Sequence, residues 1–242
     1  MSVPEISTHP RIVAKLLARL GIVPREESLF RTAFIHRSFV NEVSEKLEHN
    51  ERLEFIGDAA LELSMTDLLY RTFPGKAEGE LTDIRSSCVR GKNLAAIARE
   101  LDLADALMLS RGEERAGGRT NPTLLADAFE ALLGALYLDQ GFAVAKAFVE
   151  KHVYATLGDI LAASLHVDPK SALQEIVQAK WQTLPTYAVV SESGADHDKT
   201  FRIEVSVAGR IVGRGEGNSK KRAQEAAAQD GLDARLAWEN SI

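Results

Sequence analysis

Asn50-Glu51-Arg52-Leu53-Glu54-Phe55-Ile56-Gly57-Asp58 is at once apolar and acidic. Taken as a helix, at about 100° per residue, it sets Glu51, Glu54 and Asp58 within a stripe roughly 60° wide. Leu53, Phe55, Ile56, Ala59, Ala60 and Leu61 imply that the same helix is partly buried. Three acids on one side of such a helix repel one another, by on the order of a few kcal/mol per close pair where water is scarce. A cation should compensate them. Further along, Ala126-Asp127-Ala128-Phe129-Glu130-Ala131-Leu132-Leu133-Gly134-Ala135 sets Asp127 and Glu130 one turn apart on a second apolar helix. Gly57 and Gly134 remove side chains where the two helices would need to approach. The expectation is a packed pair of helices that pools five carboxylates. Hard oxygen ligands without Cys or His suit Mg²⁺, with Mn²⁺ as a substitute, rather than zinc. A single acidic pair would read as the solvated face of an amphipathic helix; two sets on apolar helices favour a metal.

The 242 residues, 45% of them hydrophobic, suffice for one large or two modest domains. The one cysteine, Cys88, cannot close an internal disulfide, which fits a reducing compartment, and it reads as a core thiol. Residues 1–10 have no apolar signal core, and no stretch approaches the roughly 20 uncharged apolar residues of a membrane span. These features predict a soluble cytoplasmic protein with no membrane partner. A net charge of −6 argues weakly against nucleic acid, because acids that bind metal are offset by it.

Residues 11–160 read as successive helices, an all-α half. Leu16, Leu17 and Leu20 lead to a stop at Gly21, and Ser28 is placed to cap the helix of Phe30, Ala33 and Phe34. The acidic helix runs to Phe73, where Pro74-Gly75 breaks it. Helices from Leu81 to Arg90 and Asn93 to Leu103 follow, then a polar loop from Ser110 to Thr120. The second acidic helix ends at Asp139-Gln140-Gly141, and Phe142 to Leu161 forms the last. Beyond a linker at 162–167 the pattern changes. Asp168-Pro169 starts a helix, and strands follow from Thr186 to Ser191 and through Phe201, Ile203, Val205 and Val207. A turn at Ala208-Gly209 leads into Arg210 to Gly215, and a final helix opens at Asn218 or Ser219. The order α-β-β-β-α marks a small α+β domain at 168–238, behind a helical domain at 1–161.

Residues 161–242 carry 10 Lys and Arg against 11 Asp and Glu, so this half is not basic as a whole. Lys220-Lys221-Arg222 nonetheless cluster in the first turn of the last helix, where the macrodipole favours anions. Cations beside exposed backbone N–H groups make either a tolerated surface run or a phosphate site.

These residues match a family. Residues 50–61 resemble the ribonuclease III signature, and Asp127-Ala128-Phe129-Glu130 resembles its second acidic motif. Ile35-His36-Arg37-Ser38, Glu78-Gly79-Glu80-Leu81 and Arg111-Gly112-Glu113-Glu114 match flanking segments. Residues 168–237 resemble a double-stranded RNA-binding domain, including Gly194-Ala195-Asp196-His197 and Ser219-Lys220-Lys221-Arg222-Ala223. The order is that of the bacterial enzyme and covers nearly the whole chain. The resemblance implies an all-α endonuclease domain followed by an α+β RNA-binding domain. It also implies a Mg²⁺-dependent homodimer that cuts each strand of an RNA duplex once, leaving 5′-phosphate ends and short 3′ overhangs. Implied substrates are precursors of the large and small ribosomal RNAs and some messenger and transfer RNAs. Carried over residue by residue, Glu54, Asp127 and Glu130 are metal ligands. Asp58 and Glu130 are most critical for catalysis, with Glu51 contributing at the rim. Gln174, Glu175 and His197 reach the minor groove, and Lys220 and Lys221 hold phosphates, a readout of A-form shape.

Glu62 shares the helical stripe but not the family motif, and is read as a solvated or dimer-rim residue. Ala195 stands where the family commonly has Pro, and Asp196 and Asp198 flank His197, so modest RNA binding by this domain alone is expected. His36 is assigned to packing or hydrogen bonding. No nucleotide cofactor is expected: the Gly112–Gly118 segment lacks a Gly-Lys-Ser/Thr ending, and Gly91-Lys92-Asn93 has Ser86 where the first glycine belongs. One rival is a protein that binds duplex RNA without cutting it, which the complete carboxylate set argues against. The other is a di-iron oxidase, which needs Glu-x-x-His pairs that are absent here.

Overall fold

The computed structural model describes residues 6–44, 46–163, 168–194 and 199–239. The chain divides into two compact units, Met1–His166 and Val167–Ile242. The first is helical: α1 His9–Leu20, α2 Glu27–Thr32, α3 Arg37–Val40, α4 Glu51–Thr72, α5 Glu78–Cys88, α6 Gly91–Glu100, α7 Arg111–Arg115, α8 Pro122–Gln140, α9 Phe142–His152 and α10 Leu157–Ala162. Its described residues hold no strand beyond an isolated bridge, Ile35 to Met108. Phe30, Phe34, Leu61, Met65, Leu69, Leu94 and Phe129 are fully buried in one core. Cys88 lies in it, and burial pushes its thiol up to about 11.

The turn chemistry explains the main boundaries. Gly21 ends α1 in the left-handed region at φ 74°. Asn121 caps α8 by accepting from the Thr123 N–H, with Pro122 in its first turn. Other expectations need correction. Ser28 does not cap α2; it lies inside the helix and donates to Glu26 Oε1 at 2.7 Å. The chain entering that helix is instead anchored from the end of α8, where Asp139 accepts from the Arg25 and Glu26 N–H groups. An anchor more than a hundred residues away leaves no local pattern. The Ser110–Thr120 segment is not a plain loop. Ser110 accepts from the Glu113 N–H and starts α7, and a 3-10 turn follows at Gly118–Thr120. The Ser-x-x-Glu spacing, a helix-start signal, was there to find it. The stretch from Phe142 to Leu161 is two helices separated by a 3-10 turn at Tyr154–Thr156. Thr156 Oγ1 donates to the Val153 carbonyl at 2.8 Å and accepts from Asn93 Nδ2 at 3.0 Å, side-chain bonding that competes with the helix ladder.

The second unit is α11 Pro169–Trp181, strands β1 Thr186–Ser193, β2 Thr200–Val207 and β3 Arg210–Gly217, then α12 Lys220–Asp233 and α13 Arg235–Trp238. The antiparallel sheet has the order β1-β2-β3. Ala208 and Gly209, both at positive φ, form the two-residue turn that matches strand twist. Ile203, Val205 and Val207 pack with Leu173, Val177, Ala223 and Ala227. Helix α12 lies close on β3 because Gly213 and Gly215 present no side chain: a Cβ at either would sit 2.3 or 2.2 Å from α12 backbone atoms. The expected single final helix breaks at Ala234, and Trp238 turns back to donate to the Gly231 carbonyl at 2.6 Å. Of the expected linker at 162–167, Ala162 still belongs to α10 and Ala163 caps it, while residues 164–167 lie outside the described residues, as do the loop residues 195–198, His197 among them.

Candidate metal centre and nucleic-acid interface

Helices α4 and α8 touch backbone to backbone. A Cβ on Gly57 would stand 1.8 Å from the Glu130 carbonyl oxygen, and one on Gly134 would stand 2.0 Å from that of Leu53. Only glycine at both positions permits this approach, and it sets Glu54 beside Asp127 and Glu130. One carboxylate oxygen from each of the three lies within 4.8 Å of the others. All three side chains are half-buried.

Their electrostatics follow from that crowding. Burial first, then Asp58, Asp127, Glu54 and Glu62, pushes Glu130 up to about 8. Burial, Asp127, Glu51 and Asp58 raise Glu54, and burial with Glu51 raises Asp127. Among the described residues no Lys or Arg pairs with any of the three. Half-buried carboxylates without a counter-charge bind protons more readily than solvated ones, and a cation at the site competes with those protons. A hard divalent ion fits this donor set.

The five expected carboxylates are thus not pooled equally. Asp58 is exposed at the edge of the trio and acts on Glu54 and Glu130 through its field. Glu51 is exposed too, and Arg37 Nη1 donates to its Oε1 at 3.3 Å, with His49 Nδ1 3.7 Å from Oε2. Glu62 has its own partner, Arg85 of α5, whose Nε lies 2.8 Å from Oε2 as an ion pair rather than an aligned hydrogen bond. Neither Arg37 nor Arg85 was singled out as a charge partner from sequence, since their pairs form between elements. Phe55, one of the apolar residues from which a partly buried helix was read, is 77% exposed. His36 Nδ1 accepts from the Ser38 N–H at 3.3 Å and lies 2.8 Å from Ser38 Oγ, which accepts from the Ser110 N–H. Burial lowers its pKa. These contacts tie the Ile35–Ser38 and Ser110–Arg115 segments together beside the start of α4.

In the second unit Gln174 and Glu175 are exposed on α11, and Lys220 and Lys221 are exposed in the first turn of α12. Ser219 caps α12 by accepting from the Arg222 N–H at 3.3 Å, so the lysines stand at the positive end of a helix, with N–H groups free for an anion. Lys170 Nζ donates to Gln224 Oε1 at 2.7 Å and lies over the Tyr187 ring. That bond joins the helix faces that carry Gln174 and Lys220, each one turn away.

Known proteins share both units. The Ribonuclease-III-like family matches residues 26–157, and the double-stranded RNA binding motif matches residues 169–234. Ribonuclease 3 of Desulforamulus reducens is 48% identical over 217 residues, 89% of this chain and 88% of that protein. Ribonuclease 3 of Enterococcus faecalis is 44% identical over 223 residues, covering 92% and 96%. A solved nuclease domain of ribonuclease III from Campylobacter jejuni, described as flexible in a region involved in dimer formation, superposes with a TM-score of 0.55. It is 37% identical and covers 59% of this chain and 96% of that one. Identity at this level along nearly the whole chain, with the helical unit and the RNA-binding motif in the same order, places the chain in the ribonuclease III family as an endoribonuclease specific for double-stranded RNA.

Proposed function

We propose that the chain works as a Mg²⁺-dependent homodimer in the cytoplasm, with Mn²⁺ able to substitute. It cuts each strand of duplex RNA once and leaves 5′-phosphate ends with short 3′ overhangs. Its substrates are precursors of the large and small ribosomal RNAs and some messenger and transfer RNAs. The observation that carries this reading is the trio of unpaired, half-buried carboxylates within 4.8 Å of one another. Glu54, Asp127 and Glu130 would hold the metal. Bound there, Mg²⁺ supplies charge stabilisation for the reacting phosphate and an acidified attacking water.

The chain's own residues set the geometry. The helix contact at Gly57 and Gly134 fixes Glu54 and Glu130 relative to each other, so little reorganisation is needed when substrate arrives. Asp58, exposed at the edge of the trio, is placed to take a proton or to orient water. Glu51, restrained by Arg37, contributes at the rim. Gln174, Glu175 and His197 read the minor groove, while Lys220 and Lys221 hold phosphates. The working division is an endonuclease domain at 1–161, a linker at 162–167 and an RNA-binding domain at 168–238. The dimer is supported by the exposed face of α4, where Phe55, Leu63 and Tyr70 are 77%, 56% and 71% exposed. They stand eight and seven residues apart, on one apolar stripe, and the axis of a two-fold pair would give two sites for two cuts.

Incubation of duplex RNA with the chain should give cleavage only when Mg²⁺ or Mn²⁺ is present. Glu130→Gln should bind the duplex yet cut it at least about a hundredfold more slowly. Normal cutting by that variant would refute the site, and cutting in chelator would refute the metal. Mapping the ends that accumulate in cells lacking the protein tests the proposed substrates.

A further inference from the structure

At one end of the second unit's sheet, Glu192 of β1, Phe201 of β2 and Gly217 of β3 form a row of directly paired residues. Paired residues on neighbouring strands turn their side chains to the same face. Here that is the face that also carries Ile203, Val205 and Val207, buried against the helices. Gly217 keeps the row low: a Cβ there would stand 2.6 Å from the Ala223 nitrogen. The start of α12 therefore settles onto this end of the sheet. The result is that Lys220 Nζ lies over the Phe201 ring, 5.6 Å from its centre, and 3.2 Å from Glu192 Oε1.

We propose that Glu192 is an internal competitor for RNA phosphate at Lys220, so that it attenuates the affinity of the RNA-binding unit. This rests on the reading of Lys220 as a phosphate contact. The Phe201 ring holds the ammonium group in place without neutralising it, and remains compatible with a bound anion. The Glu192 carboxylate does neutralise it, and a phosphate arriving at Lys220 must displace or face that charge. Both partners of the ion pair are well exposed, so the pair is weak and a duplex offering several phosphates in register displaces it. Glu192 thereby trims the gain from any single contact.

The test is equilibrium binding of the full chain to duplex RNA of about 16 base pairs or more, in chelator, across a salt series. Glu192→Gln should tighten binding about two- to fivefold at low salt, and steepen the dependence of log affinity on log salt by up to about one. Glu204→Gln is the control for overall charge, because Glu204 alternates with the buried residues of β2 and faces the other side of the sheet. It should leave binding unchanged. In a Lys220→Ala background, Glu192→Gln should give no gain. Unchanged or weaker binding by Glu192→Gln overturns the proposal, as does an equal gain from Glu204→Gln or a gain that survives loss of Lys220. If Lys220→Ala alone binds like the parent chain, the underlying reading of Lys220 fails as well.

Discussion

Glu130→Gln should make the metal-free protein more stable, and the gain should depend on pH. The Glu130 carboxyl is held up to about 8 against an ordinary value of 4.5. The folded chain thus binds this proton more tightly than the unfolded chain, and stability from this group falls as pH rises. The penalty is absent below about pH 4.5, grows between the two values, and is complete above about pH 8. At about pH 7 it amounts to about 3 kcal/mol, from about 1.4 kcal/mol per pH unit over the span in which only the unfolded chain is ionised. Glu130 is half-buried, so solvent screening reduces this to about 1.5 kcal/mol. For a chain of this size that is a rise of about 3–6 °C in melting temperature. Thermal melts of the helical unit in chelator, at about pH 5 and about pH 8, should show a gap that opens with pH. Added Mg²⁺ should then raise the parent chain's melting temperature and leave the variant's nearly unmoved, because only the parent retains the full ligand set. A variant less stable than the parent at the higher pH, or a gap equal at both, would refute the claim that this cluster is strained by its own charge.

Two further outcomes follow from the helical unit. Gly57→Ala puts a carbon 1.8 Å from the Glu130 carbonyl, so the helices must part at a cost toward the upper end of about 1–3 kcal/mol. A lower melting temperature together with weaker Mg²⁺ binding is expected, and unchanged melting would contradict the backbone contact. Phe55→Asp alters a side chain that is 77% exposed, so the protomer should lose no more than about 0.5 kcal/mol. Sedimentation should instead shift from dimer to monomer as cutting falls, and a persisting dimer would place the interface elsewhere.

Much of the fold was legible where a boundary is local, the Ser110 start of α7 being an exception. Gly21 and Asp168-Pro169 act through their own backbone dihedrals and N–H groups, and each stops or starts a helix where the sequence places it. The alternation of Phe201, Ile203, Val205 and Val207 gave the buried face of β2 for the same reason. Part of what escaped depends on distant parts of the chain. The anchor ahead of α2 comes from Asp139, and the break after His152 involves Asn93. The exposure of Phe55 was not legible, because an apolar side chain on a helix fits a core and an exposed stripe equally well; hydropathy does not distinguish a covered face from one left open within a single protomer.

The acidic stripe shows the same limit from the side of chemistry. Periodicity alone aligns Glu51, Glu54, Asp58 and Glu62 on α4 and cannot rank them. Charge partners do rank them. Arg85 answers Glu62 and Arg37 answers Glu51, and solvent answers Asp58, which is exposed. Glu54 has no such answer, because the glycine contact turns it toward Asp127 and Glu130. The position of a missing charge is therefore defined by which acids the protein leaves uncompensated, and not by how many it lines up. Gly57 and Gly134 matter as much as the carboxylates they position: without the close approach they allow, the three acids would be separate surface charges, each satisfied by water.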